Sequence, residues 1–235
     1  MPKSTSPLPE WEQVLSSAAH LQRILPDAVL VGGTAAAIYA GHRLSADADH
    51  VLIDLRERFD RVLADLESVA GWKTARIRRP VQILGSLDGI ETGVRQLIRQ
   101  QPLETAEVEQ SGQRIVLPTV AEMLRIKAVL ILKRNATRDY LDFAALADRM
   151  GEDGAVTALR SFDSLYPQPN DESALQQLQI QLASPIPFDL DEVQLAEYKH
   201  LTPKWHDWNA VKSACAASAM AIFDRIVGSQ DAGNQ

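Results

Sequence analysis

The chain has 235 residues, of which 46% are hydrophobic and 23% charged, and this composition is typical of a folded globular protein. A single cysteine, Cys215, excludes an intramolecular disulfide framework and a cysteine-rich zinc site. The formal net charge of −7 argues against a broad nucleic-acid platform, but it leaves room for local basic clusters such as Arg76, Arg78 and Arg79.

No segment is long and apolar enough to cross a bilayer, and the N-terminus lacks a basic stretch followed by an apolar one. We therefore expect a cytoplasmic protein with no membrane partner. Residues 1–9, which contain three prolines, and residues 229–235 are expected to be flexible tails.

Hydrophobic periodicity predicts mixed helices and strands up to residue 117. The predicted elements of this half are a helix over 11–25, strands over 29–31 and 48–53, helices over 34–40 and 59–69, and strands over 72–76, 81–84, 103–108 and 114–116. Residues 90–99 fit a strand or a helix. After residue 118 the pattern is helical throughout, with predicted helices over 120–133, 137–150, 152–162, 172–182 and 205–227.

This order of elements predicts an α+β fold with two parts, a mixed core over 10–117 and a helical region over 118–228. Strands and helices mixed in one half and helices alone in the other favour this class over a doubly wound sheet.

The first motif with chemical meaning is a glycine turn, Gly32-Gly33-Thr34, which follows a short apolar strand. Glycines let a backbone approach a phosphate closely, and the first N–H groups of a helix bind anions. A tight turn with Thr34 as a helix cap is the simpler interpretation of these three residues alone.

Asp47 and Asp49 begin the next predicted strand and are separated by one residue. Alternate residues of a strand share a face, so the two carboxylates can bind one divalent cation. Mg²⁺ accepts carboxylate oxygens together with substrate phosphates. The arginine before the pair, Arg43, has the forked geometry that suits a triphosphate or a carboxylate. For His42 a structural hydrogen bond is favoured.

A second constellation lies in the helical half. Lys127 is flanked by apolar residues and either extends to solvent or reaches a phosphate. Asp139 and Asp142 are three residues apart, so they share a helix face, where they could also simply pair with neighbouring arginines. The residues alone leave these alternatives open.

The glycine turn, Gly-His-Arg-x-Ser-x-Asp-x-Asp, Lys127 and Arg138-Asp139-x-x-Asp142 together resemble the AbiEii/AbiGii-type nucleotidyltransferase family over residues 28–150. This family supplies toxins of abortive-infection and toxin–antitoxin systems. The resemblance implies a polymerase-β-like nucleotidyltransferase core followed by helices.

The resemblance also implies roles for individual residues. Gly33 and Thr34 would hold the nucleotide phosphates, Asp47 and Asp49 would hold Mg²⁺, and Lys127 would contact the triphosphate. Gly32 and Arg43 are further nucleotide-binding candidates from their own chemistry. The later acidic residue, Asp139 or Asp142, would accept the proton of the acceptor hydroxyl. The third carboxylate of the broader fold has no clear counterpart, and Asp54 and Asp88 are weak candidates.

The resulting hypothesis is a magnesium-dependent transfer of a nucleoside monophosphate from an NTP to an acceptor hydroxyl, such as an RNA or tRNA end, with a cognate antitoxin as a further partner. Two alternatives remain open. One is a catalytically silent nucleotide- or partner-binding protein of the same fold, and the other is a small-molecule nucleotidyltransferase.

Overall fold

A computed structural model describes residues 10–227, so the predicted tails lie outside the described residues. Their contacts divide these residues into two units. The first contains 10–35 and 45–117, and the second contains 36–44 and 118–227.

The first unit contains a five-stranded sheet and a separate hairpin. Its elements are α1 (Trp11–Ile24), β1 (Val29–Leu30), β2 (Asp47–Leu52), α3 (Leu55–Glu67), β3 (Trp72–Arg78), β4 (Gln82–Leu87), β5 (Ile90–Gln96), β6 (Thr105–Gln110) and β7 (Gln113–Pro118), while α2 (Gly32–Ala40) begins in this unit and ends in the second. The open assignment of residues 90–99 is thus resolved as a strand over most of its length.

The strand order in the sheet is β1-β2-β5-β4-β3, and β6 pairs with β7 in the hairpin. Only β2 and β5 are parallel; the other pairs of the sheet are antiparallel. The register of the parallel pair aligns Asp47 with Glu91 and Asp49 with Gly93.

One face of this sheet is covered by α1 and α3. Apolar side chains of both helices pack against inward residues of the strands and form a core cluster that includes Leu21, Phe59, Leu66, Leu52, Ile83 and Val94. Because side chains alternate along a strand, residues between these inward positions lie on the opposite face. That face carries Asp47 and Asp49, both partly exposed.

The second unit is helical. Its elements are α4 (Val120–Arg134), α5 (Thr137–Leu159), α6 (Phe162–Leu165), α7 (Ala174–Ala183) and α8 (Trp208–Ile222), with short 3₁₀ turns at Pro169–Asp171, Leu195–Glu197 and Pro203–Trp205 and a π turn at Phe223–Val227. The predicted helix over 205–227 is therefore shorter and broken at both ends.

Two residues with left-handed backbone explain where the helices of this unit break. Asn135 ends α4 with φ 46°, and Gly151 interrupts α5 with φ 70°. Glycine and asparagine adopt this conformation at low cost. Among the described residues, no helix has the length and apolar character needed to span a membrane.

Candidate active site

The glycine turn lies directly against the second carboxylate. The backbone N–H of Val31 donates to the carbonyl oxygen of Asp49 at 2.8 Å. Gly32 has φ +76°, and a β-carbon built on it would lie 3.6 Å from Asp49 Cβ and 3.8 Å from its Oδ2. Any other residue would be strained there by the positive φ. The start of α2 and the Asp49 side chain are thus neighbours.

Asp47 and Asp49 share the face of β2 that α1 and α3 do not cover, here called the uncovered face. Ser45 donates its hydroxyl to Asp47 Oδ1 at 2.5 Å, which orients that carboxylate. The Arg95 guanidinium on β5 approaches Asp49 Oδ1 at 3.7 Å, and these two side chains are 43% and 28% exposed. Mg²⁺ in nucleotide sites binds one or two protein carboxylates and completes its shell with water and phosphate. The pair fits this donor set.

Thr34 connects α2 to β2 through its side chain. Its hydroxyl is fully buried and donates to the backbone carbonyl of Asp47. This bond fixes the helix start beside the carboxylates, while the hydroxyl has a protein partner of its own. The predicted contact of Thr34 with phosphate stays a prediction.

Two further residues lie on the same face, and neither of them was predicted from the sequence. Glu91, exposed on β5, is aligned with Asp47, and Arg95 lies four residues further along the strand. Aligned residues of neighbouring strands point to the same side of a sheet. Glu91 therefore lies on the strand next to Asp47 and Asp49, although it does not complete a three-carboxylate metal site with them. Once 90–96 is assigned as a strand, simple alternation would have found both residues.

The two earlier candidates for that carboxylate lie elsewhere. Asp54 precedes α3 and pairs with Arg58 at 2.9 Å. Asp88 lies in the β4–β5 turn with φ 54° and pairs with His20 at 2.7 Å. Across residues 10–227, no three acidic, histidine or cysteine side chains lie close enough to form a metal site by themselves.

The second predicted constellation forms an ion cluster within the helical unit, here called the Asp142 cluster, in which every member except Arg134 is buried. Its members are His42, Arg43, Lys127, Arg134, Asp139 and Asp142. Arg43 donates two hydrogen bonds to Asp142, Nε to Oδ1 at 2.9 Å and the terminal nitrogen to Oδ2 at 3.1 Å. Lys127 Nζ is 2.7 Å from Asp142 Oδ2.

Asp142 is fully buried and its charge is well compensated. Burial by itself would raise the pKa of Asp142, but Arg43, Lys127 and a hydrogen bond to His42 at 2.7 Å hold it well below its usual range. A carboxylate with such a low pKa is a weak proton acceptor.

Asp139 has its own arginine. Arg134 binds both oxygens of Asp139, one of them at 2.7 Å, and Lys127 is 3.7 Å away. Lys127 is only 1% exposed, so it extends neither to solvent nor along the surface. Three roles remain predictions: a contact of Lys127 with a triphosphate, a contact of Arg43 with the nucleotide, and Asp139 or Asp142 as the proton acceptor. Each of these side chains already has a close partner of opposite charge.

Comparisons with known proteins identify the fold and find relatives that match this chain over only part of their own length. No family model matches the chain. The chain is 31% identical to "Heme uptake protein MmpL11" of Mycobacterium tuberculosis over 239 residues, which is 93% of this chain and 23% of that protein. It is 35% identical over 129 residues to "Mycolic acid-containing lipids exporter MmpL11" of Mycolicibacterium smegmatis, or 54% of this chain and 13% of that protein. The chain thus spans about a quarter of these relatives at most.

Among solved structures, the antibiotic-resistance factor ANT(2'')-Ia superposes with a TM-score of 0.50 at 11% identity, covering 66% of this chain and 94% of that one. A second structure of ANT(2'')-Ia, in complex with adenylyl-2''-tobramycin, gives 0.48 at 10% identity over 65% and 96%. A candidate nucleotidyltransferase from H. pylori gives 0.47 at 17% identity over 92% and 97%.

The chain has the nucleotidyltransferase fold. The predicted α+β class, a small mixed sheet with flanking helices followed by a helical half, is confirmed by the sheet order and by the superposition on ANT(2'')-Ia. The narrower resemblance to the AbiEii/AbiGii-type family stays a prediction.

Proposed function

We propose that this chain is a magnesium-dependent nucleotidyltransferase that moves a nucleoside monophosphate from an NTP to an acceptor hydroxyl. One observation carries the proposal. Asp47 and Asp49 share the uncovered face of β2, and the Asp49 carboxylate lies within 4 Å of the position of a Gly32 β-carbon. A carboxylate pair beside the start of a nine-residue helix combines a cation site with an anion site.

The transfer follows from these positions. The acceptor oxygen attacks the α-phosphorus, the bond from that phosphorus to the oxygen bridging to the β-phosphate breaks, and pyrophosphate leaves. Mg²⁺ held by Asp47 and Asp49 would neutralise charge that builds up on the phosphates. The backbone N–H groups at the start of α2 hold the phosphates, and Arg95 adds a positive charge beside Asp49.

We assign the proton of the acceptor hydroxyl to Glu91. Its side chain is exposed, and it is aligned with Asp47 on the neighbouring strand, so it lies on the same face as the proposed metal ligands. The Asp142 cluster is assigned a structural role in the helical unit, because Asp142 is paired with the buried Arg43 and Lys127, and Asp139 is paired with the more exposed Arg134. The toxin role and the cognate antitoxin rest on the family resemblance alone.

The test is transfer of label from each α-labelled NTP, with Mg²⁺ and total RNA as the acceptor pool. We expect labelled product from the unaltered protein and a loss of at least about 100-fold in Asp47→Asn/Asp49→Asn, since a site built on electrostatic stabilisation loses several kcal/mol without it. The matched control is Asp60→Asn/Asp65→Asn, which makes the same charge change on exposed residues of α3. Transfer that survives in the Asp47/Asp49 variant would reject this site.

A second function has one observation in its favour. Because a segment of the MmpL11 proteins matches nearly the whole chain, the same domain could serve as a nucleotide-binding module that acts with a transport protein. Such a module would bind Mg²⁺ and NTP through Asp47 and Asp49 without any transfer. Equilibrium binding of a fluorescent NTP, measured with and without Mg²⁺, separates it from the enzyme. A small-molecule nucleotidyltransferase would instead label a metabolite when RNA is omitted.

A further inference from the structure

Strand β3 is one of the two edge strands of the five-stranded sheet, and it is exposed over almost its whole length. From Lys73 to Arg78 every residue is solvent-accessible. The strand carries three basic side chains, Lys73, Arg76 and Arg78, which are here called the basic row. Across the described residues, none of the three has an ion pair with a carboxylate.

A β-bulge places the whole basic row on one face. Lys73 and Arg76 are an odd number of residues apart, so a regular strand would turn them to opposite faces. The register shifts between Thr74 and Arg76, and the alignment then becomes Lys73 with Ser86, Arg76 with Leu84, and Arg78 with Gln82. Those three partners alternate along β4, so the basic row shares a single side.

That side is the one that carries the carboxylates. On β4, Leu84 is aligned with Gly93 of β5, and Gly93 is aligned with Asp49 of β2. The opposite side, with Ile83, packs into the core under α1 and α3. Arg79, which the sequence places in the same basic cluster, belongs to that other side, where it lies over the ring of Phe59 at 5.0 Å.

The distances suit an extended ligand. Three strand spacings separate β2 from β3, or roughly 14 Å, and the basic row, aligned with β4 from Ser86 to Gln82, extends over roughly 13 Å of the sheet. Arg95 on β5 adds a fourth cation between the two ends of this surface. A compact acceptor bound at Asp47 and Asp49 would not reach the basic row, whereas a chain with repeated negative charges would contact both.

We propose that the basic row binds the acceptor, and that the acceptor is a single-stranded nucleic acid whose terminal hydroxyl enters the carboxylate site. This inference rests on the proposed function, because nucleotidyl transfer at Asp47 and Asp49 requires the terminal hydroxyl of the nucleic acid to lie at that end of the surface. A nucleic acid is the polyanion that offers both regularly spaced phosphates and a free hydroxyl at its end. A polycationic acceptor is disfavoured, because four cations on this face would repel it.

The experiment measures binding of a fluorescein-labelled 20-nucleotide RNA by anisotropy, without NTP, from about 50 to 200 mM salt. The test variant is Lys73→Gln/Arg76→Gln/Arg78→Gln. Its matched control is Arg23→Gln/Arg56→Gln/Arg61→Gln, which removes the same charge from exposed residues of α1 and α3. Thermal unfolding of each variant verifies that the fold is intact. Binding of a DNA strand of the same sequence tests whether the sugar contributes to affinity.

We expect the test variant to bind RNA at least about tenfold more weakly, and its plot of log K against log salt to become shallower by about 2, since each lost phosphate contact on a single strand contributes about 0.7. The control variant is expected to bind like the unaltered protein. Equal binding by both variants, an equal loss in both, or no RNA binding by the unaltered protein would overturn the inference.

The two proposals can fail separately in this design. RNA binding that depends on the basic row, together with no label transfer from any NTP, would support the surface and reject the enzyme. Label transfer to a metabolite, with no RNA binding, would do the reverse. The Asp47→Asn/Asp49→Asn variant is expected to retain RNA binding, because the basic row lies three strands away.

Discussion

The uncovered sheet face of the first unit and the Asp142 cluster of the second contain similar residues in opposite environments. Asp142 is inaccessible to solvent, and it has two cations and a histidine within hydrogen-bond distance. Asp49 is 28% exposed, and its Arg95 neighbour is 3.7 Å away. Acids with matched buried cations hold a fold together, while partly exposed acids retain capacity for a ligand.

The role of an acidic motif therefore depends on the side chains that pair with it. Both pairs of acids fit a catalytic role by spacing alone, because i, i+2 on a strand and i, i+3 on a helix each bring two carboxylates to one face. Only Asp47 and Asp49 lie on an accessible face beside a glycine turn. Substitutions at these two places should therefore separate stability from activity.

The largest expected effect is on stability, from Asp142→Asn. Neutralising this residue leaves Arg43 and Lys127 buried without their main partner, and loss of one member of a buried ion pair costs about 3–5 kcal/mol. Urea denaturation followed by circular dichroism measures the free energy of unfolding. The comparison variant, Asp47→Asn/Asp49→Asn, is expected to change that free energy by less than about 1 kcal/mol. Equal costs in the two variants would contradict the assigned roles.

The next effect concerns His50, which follows Asp49 on β2 but points to the covered face. Burial lowers the pKa of His50 from 6.5 to about 4, although the carbonyls of Ala48 and Ala18 oppose the shift. Between about pH 6.5 and 4, His50 therefore carries a proton in the unfolded chain but not in the folded chain. Stability is fully present above pH 6.5 and falls by about 3 kcal/mol as the pH drops through this window.

Unfolding free energies at pH 7, 5.5 and 4 for the unaltered protein and for His50→Leu measure this contribution. The variant should lose the part of the pH dependence that His50 supplies. A His200→Asn variant, changed at an exposed histidine, is the control and should keep the full slope. A slope that is unchanged in His50→Leu would show that the ring titrates normally.

Lys127→Met is expected to have a smaller effect, because its partners have other cations. Asp142 keeps Arg43, and Asp139 keeps Arg134. We expect the free energy of unfolding to fall by about 1–3 kcal/mol, the range for losing one buried charge-assisted hydrogen bond. Fluorescent NTP binding per folded molecule should be unchanged. A loss of NTP binding at full stability would restore the triphosphate role implied by the family resemblance.

Local patterns in the sequence were sufficient for the fold class and for the first motif. The glycine turn and the two aspartates are close because β1, which directly precedes the turn, pairs with β2, and only α2 and a short loop separate the turn from β2. The separation of an α/β half from a helical half follows from the change in periodicity at Pro118.

What the sequence could not provide depends on pairing between distant residues. Glu91 and Arg95 join the face only through the parallel pairing of β2 with β5, about 40 residues apart, and a glycine at position 93 weakens the strand pattern. The three side chains of the basic row share a face only because of a β-bulge, which no local sequence pattern predicts. Arg43 meets Asp142 across 99 residues of sequence.

The smallest expected effect belongs to Arg95, and it tests whether the uncovered face serves a ligand at all. Arg95 approaches Asp49 at a distance too long for a strong ion pair, and both side chains are partly exposed, so its contribution to stability should be below about 1 kcal/mol. If it instead contacts the triphosphate, Arg95→Gln should weaken binding of Mg²⁺-NTP about tenfold, or about 1.4 kcal/mol. Arg114→Gln, at an exposed arginine of the hairpin, is the control. Titration with a fluorescent NTP measures the affinity of both variants. Equal affinity would show that Arg95 does not contact the nucleotide, and it would leave the proposed role of Asp47 and Asp49 unchanged.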